Sequence, residues 1–198
     1  MRLTILFGIF FSLLSWALSA QNKEDYYYQI PEYPNEYTAG NVAARMIDGL
    51  GFRYYWATAD LRASDMMYRP SDEARTSRET LDHIYGLSLV IVNSTNKLSN
   101  KDNPSSENLS FEELRNKTLE NFKDASIILK NSSSKDLESY AIVFEKIDGS
   151  SSTFPFWNQI NGPIADALWH VGQVISFRRT SGNPYNSKAS MLRGKVRE

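Results

Sequence analysis

Asp166 and His170 stand four residues apart in the stretch NGPIADALWHVGQVISFRRTSGNP, residues 161–184. Four residues is about one helical turn, so both side chains leave the same face. Gln173 follows three positions further along that side. An aspartate and a histidine at this spacing can share one metal ion, but two ligands make a weak site. The third must come from another element, and the chain has only two histidines, His83 and His170. A set of His83, Asp166 and His170 leaves coordination positions for water or substrate. Its mixed oxygen and nitrogen donors suit zinc, nickel, iron or manganese. The chain has no cysteine, which excludes disulfides, thiolate catalysis and cysteine-built zinc sites.

The elements that must carry these residues are helices. Gly162-Pro163 reads as the start of the last one, with Pro at the first helical position, and Gly182, Asn183 and Pro184 stop it. His83 belongs to a helix opened by Thr76 and Glu79, a capping box, with Leu81, Ile84, Leu87, Val90 and Ile91 as its inward stripe. His83 lies at the edge of that stripe. Gly86, one turn on, either leaves space beside the imidazole or lets a helix pack closely. An earlier helix is expected from about Thr38 to Leu61, with Ala43, Met46, Ile47, Leu50, Tyr54, Ala57 and Leu61 on one face. Gly49 and Gly51 within it would admit another helix at close range. Ser110 with Glu113 opens a further helix bearing Phe111, Leu114, Thr118, Phe122, Ala125 and Leu129, ending at 131–134. Tyr140 to Phe144 is a short strand-like run and Asp148-Gly149 a turn, but Pro155 spoils the return as a regular strand. The expected fold is therefore all-α, a four-helix bundle with a short β excursion before the last helix.

The 198 residues suffice for one domain with extras, and 41% hydrophobic content fits a globular core. A net charge of −1 gives no basic surface for nucleic acid. Residues 1–20 read as a signal peptide: Arg2, an apolar run from Ile5 to Leu18, then Ser19-Ala20 before Gln21. A retained membrane anchor is the alternative, against which the run is short. The mature chain would then be exported, periplasmic or secreted, with no membrane association. Residues 21–36, with four tyrosines and two prolines, read as an extended lead-in draped over the domain. The bundle is expected over 37–184, and 185–198 as a solvated or loosely docked tail.

Two stretches resemble a known family. ARTSRETLDHIYGL, residues 74–87, is similar to the second-helix signature of the DinB superfamily of metal-binding four-helix bundles, and IADALWHVGQVISFRRTSGNP, residues 164–184, resembles its last helix. The resemblance covers roughly residues 38–182. It implies that His83 is the first metal ligand and that His170, followed by Gly172 and Gln173, is the last. Asp166 stands where the family usually has its middle histidine, a harder and charged ligand that changes which metal would suit the site. Gln173 would support the ligands from outside. Related bundles include metal-dependent transferases and isomerases that use low-molecular-weight thiols, and many have no known reaction, so the resemblance implies a divalent ion that activates water or a thiol. Export favours hydrolysis of a small molecule over thiol transfer.

Each residue also has a plainer role. A histidine at a stripe edge can be a hydrogen-bonded packing residue. Asp166 suits a helix N-terminus, and Arg178 and Arg179 suit a helix C-terminus as well as an anionic substrate. Trp169 fits the core or a pocket wall. Glu79, one turn before His83, suits a general base or a hydrogen-bond partner of that histidine, or only a cap. A non-catalytic metal-binding or structural bundle that acts on a partner is thus the alternative to an enzyme, and a homodimer is left open.

Overall fold

A computed structural model describes residues 25–101 and 103–198. The proposed signal peptide lies outside the described residues. The described chain is mostly helical. Its long elements are α1 (Ala39–Thr58), α3 (Ser77–Thr95), α4 (Phe111–Lys130) and α7 (Ala165–Thr180). Short helical pieces α2 (Ala63–Met66), α5 (Ser134–Leu137) and α6 (Trp157–Gln159) join them. α1 packs on α4, α4 on α3, α3 on α7, and α7 back on α1, so the four long helices close around one core. No helix of the described residues is long and apolar enough to cross a membrane.

The helix starts follow from capping. Thr38 accepts from the Asn41 amide, and Thr76–Glu79 and Ser110–Glu113 form the expected reciprocal boxes. The apolar stripes then meet. Ile47, Leu50 and Tyr54 from α1, Leu81, Ile84 and Ile91 from α3, and Leu114, Phe122 and Leu129 from α4 are all buried. α7 adds Ala167, Val171 and Val174. Met46 departs from its expected place: it points outward and is 39% exposed.

α1 ends at Thr58, before the expected Leu61, because the chain turns through Asp60 at a φ of 58°. The space at Gly51 is filled by the Tyr27 ring and not by another helix, since a Cβ there would overlap that ring. Gly40 is the close helix contact, facing the backbone carbonyls of Leu129 and Ser132. The β excursion forms as a hairpin of β1 (Ile142–Glu145) and β2 (Ser151–Phe154), with Ile142 opposite Phe154. Pro155 follows β2 directly, so its missing N–H lies outside the ladder and costs nothing.

The last helix has its expected start: Gly162 is non-helical and Pro163 opens the run into α7, but another helical piece runs into that start from the other side. Both lie inside a π turn, Ile160–Ile164, that continues from α6 into α7. Gly162 sits there at φ −92° and ψ −109°, a kink within the turn.

The ends of the described chain are docked. Tyr27 is buried and its hydroxyl points to Asp48. The segment after Tyr185, expected to be solvated or loosely docked, folds back as the two-residue strands β3 (Ala189–Ser190) and β4 (Lys195–Val196). Ala189 joins Ile30, Phe52 and Trp56 in a second small core, and the Ile30 amide donates to Gly194 O at 2.7 Å.

Candidate metal centre

α3 and α7 run antiparallel and in contact. Gln159, before α7, donates to Ile91 O near the end of α3, while Asp166 in the first turn of α7 reaches His83 in the second turn of α3. This arrangement brings the three expected residues together. His83 Nε2 is 3.3 Å from Asp166 Oδ2, and His170 Nε2 is 3.3 Å from Asp166 Oδ1. The imidazole rings meet edge to face, with centroids 4.6 Å apart. One ligand atom from each residue lies within 4.8 Å of the others, close enough to hold a single metal ion. The Asp166 side chain is 43% exposed and that of His170 13%, so the cluster is anchored on one side and open to solvent on the other.

The electrostatics favour a neutral His83. Burial pushes its pKa down, the Asp166 contact opposes that, and the positive charge of Arg75 adds to the lowering. A neutral imidazole has the free lone pair that a metal requires. Arg75 was not singled out by sequence reasoning. Its sole signal there was its position just before the Thr76 cap of the histidine helix.

Gln173 behaves as a support. His170 Nδ1 donates to Gln173 Oε1 at 2.7 Å, which fixes the ring orientation and leaves Nε2 facing Asp166. Gly86 leaves room: a Cβ there would meet nothing within 4 Å, so close helix packing is not its reason.

Other candidates resolve differently. The Glu79 carboxylate accepts from the Thr76 amide at 2.7 Å and from Thr76 Oγ1 at 2.9 Å. Those bonds hold its pKa below the ordinary carboxylate value, so the capping role accounts for it and it is poorly suited to act as a base. Trp169 is 72% exposed and is not part of the core. Arg178 is buried and does not face an anion site. Its Nη1 donates to Trp56 O, Ala57 O and Ala59 O at 2.9–3.1 Å, closing the C-terminus of α1. Arg179 lies over the Tyr185 ring instead. Sequence reasoning also missed Asp65, which is buried and bound by Arg62, Ser181 and Asn183 beyond the end of α7.

No protein-family model matches this chain, and no match is found among the curated proteins or the solved structures.

Proposed function

We propose that this is an exported four-helix bundle of the DinB type that holds one divalent ion through His83, Asp166 and His170, and that it hydrolyses a small molecule. The observation that carries the metal assignment is the approach of His170 to Asp166. Gln173 Oε1 accepts from His170 Nδ1, so Nε2 faces Asp166 Oδ1 at 3.3 Å, while His83 Nε2 faces Oδ2 of the same carboxylate. Metal bonds of about 2.0–2.1 Å at tetrahedral angles put their far ends about 3.3–3.4 Å apart; each histidine stands 3.3 Å from one oxygen of Asp166, and one ligand atom of each of the three residues lies within 4.8 Å of the others. The donor set, one carboxylate and two imidazoles, therefore fits a zinc-like ion and also suits nickel, iron or manganese.

Bound there, such an ion would lower the pKa of a coordinated water and polarise a substrate oxygen. The chain's own contribution is geometric. Gln173 fixes the His170 ring, Asp166 spans both rings, and the open side at Gly86 gives access from solvent. The apolar run ahead of Gln21 supports the export part of this reading.

One observation favours a second reading, a non-catalytic metal-binding bundle. Glu79, the candidate base, is committed to its cap. Hydrolysis of small esters and phosphate esters by the metal-loaded chain, compared with the metal-free chain and with His83→Ala, separates the two. Turnover that requires both the ion and His83 supports the hydrolase. Tight metal binding with no turnover on either ester class supports the binder.

A further inference from the structure

The open side of the metal centre is asymmetric. Trp169 stands three residues after Asp166 and four before Gln173, so its side chain leaves the same flank of α7, one turn along. It is 72% exposed, and Leu168 beside it is 44% exposed. Its two other helix neighbours, Ala165 and Gly172, are small, so α7 leaves the indole uncovered. Aromatic surface in water forgoes the gain of burial, which a ligand at the adjacent centre would recover.

The other end of the centre is empty. Gly86 follows His83 by three residues on α3, and a Cβ there would meet nothing within 4 Å. Because α3 and α7 run antiparallel, the step from Asp166 to Trp169 goes one way along the groove and the step from His83 to Gly86 goes the other. A ligand at the centre therefore has an indole wall on one side and free space on the other. The charges along this strip are already engaged. Arg78 pairs with Asp82 at 3.1 Å and Glu79 accepts from Thr76, while Arg75 lies about two turns from His83, at the head of α3. The group that suits the indole is thus planar, apolar and uncharged.

We infer that Trp169 is a specificity-determining residue of this centre and that the substrate is an ester or amide bearing an aromatic ring. Its carbonyl oxygen lies at the centre, its ring against the indole, and its remaining portion in the gap beside Gly86. Hydrolysis adds water across the bond between the carbonyl carbon and its oxygen or nitrogen partner, giving a carboxylic acid and an alcohol or amine with no other reactant. The inference rests on the metal reading above and gives it a substrate class. An aromatic pair of this kind adds a few-fold in affinity beyond the area it buries, which is enough to favour an aryl substrate over its alkyl counterpart.

Benzohydroxamate and acetohydroxamate share one metal-binding group and differ in a phenyl ring, so the pair tests this on the zinc-loaded chain, once calorimetry has established that zinc binds. The parent should favour benzohydroxamate, and Trp169→Ala should lower that preference by about three- to tenfold through lost benzohydroxamate affinity. Trp169→Phe, which keeps a ring, should retain most of it. Benzohydroxamate should also change the indole fluorescence of the parent, and that change should vanish in Trp169→Ala. Trp169 is exposed, so the variant should keep the helical circular dichroism of the parent. An unchanged preference in Trp169→Ala, with zinc still bound, overturns the role of Trp169 and leaves the metal centre standing. A zinc-loaded parent that binds neither hydroxamate has a centre closed to ligands, which overturns the inference. A parent that binds no zinc removes the metal reading and this inference with it.

Discussion

His83 Nε2 and Asp166 Oδ2, eighty-three positions apart in sequence, stand 3.3 Å from each other across the contact of α3 and α7. The other oxygen of the same carboxylate addresses His170. One short side chain therefore gathers both imidazoles of the protein, and it does so because the π turn ends just before Asp166 and α7 runs antiparallel to α3. A cluster gathered in this way is ordered ahead of any ligand, and less ordering entropy remains to be lost on binding.

Gln173 should matter to metal affinity without being a ligand. Gln173→Ala removes the acceptor that orients His170 and should weaken binding by about 10–100-fold, the usual effect of losing such an outer partner. Calorimetric titration reads this directly. An effect as large as that of His170→Ala would make Gln173 itself a ligand.

Asp65 sets an acid limit on stability. Arg62 foremost, then Ser181 and Asn183, hold its carboxyl well below the ordinary range, against the opposing effect of burial. A carboxylate with a lowered pKa in the folded chain contributes stability that is fully present above the unfolded value, about 4, and is lost as pH falls below it. Urea midpoints should therefore drop below about pH 4 more steeply for the parent than for Asp65→Asn. At neutral pH the variant should be less stable by about 1–3 kcal/mol. Parallel pH profiles for the two proteins would remove Asp65 as the cause.

Arg178 joins the last helix to the first. It donates to three carbonyls at the end of α1 and to Asn183 O at 2.6 Å. Arg178→Ala strands those buried acceptors and should cost about 3 kcal/mol, seen as a lower urea midpoint with little change in slope. A change below about 0.5 kcal/mol would mean that water replaces the guanidinium without loss.

The lead-in is held by shape. Gly51→Ala would drive a methyl group into the Tyr27 ring and should destabilise by about 1–3 kcal/mol, whereas Gly49→Ala, whose Cβ would meet only the flexible Arg53 side chain, should be near neutral or stabilising. Thermal unfolding of the two variants distinguishes them. Equal effects would show that Tyr27 moves aside freely.

The parts of this fold that could be read from sequence are those governed by local chemistry. Thr76–Glu79 and Ser110–Glu113 mark helix starts because each box satisfies amides within one turn, and the stripe through Leu114, Phe122 and Leu129 reports its burial by spacing alone. The meeting of His83 with Asp166 and His170 was also legible, because a scarce residue type on two expected helices leaves few arrangements. The helical piece ahead of Gly162 was not legible, since Gly-Pro announces a helix start without saying whether another helix runs into it. Arg178 read as a charge suited to a helix C-terminus or an anionic substrate because its acceptors lie about 120 positions away, at the end of α1. The docking of the tail depended on Ile30 and Gly194 meeting, which no local pattern announces.

The most direct test of the metal centre is calorimetric titration of the metal-free chain with zinc, for the parent and for His83→Ala, at two pH values. The parent should bind one ion per chain, more weakly at pH 5 than at pH 7.5, because protons compete for the imidazole lone pairs. His83→Ala should lose tight binding, and Asp166→His, which keeps three ligands, should retain it. Zinc binding by His83→Ala as tight as that of the parent would contradict a centre shared between α3 and α7.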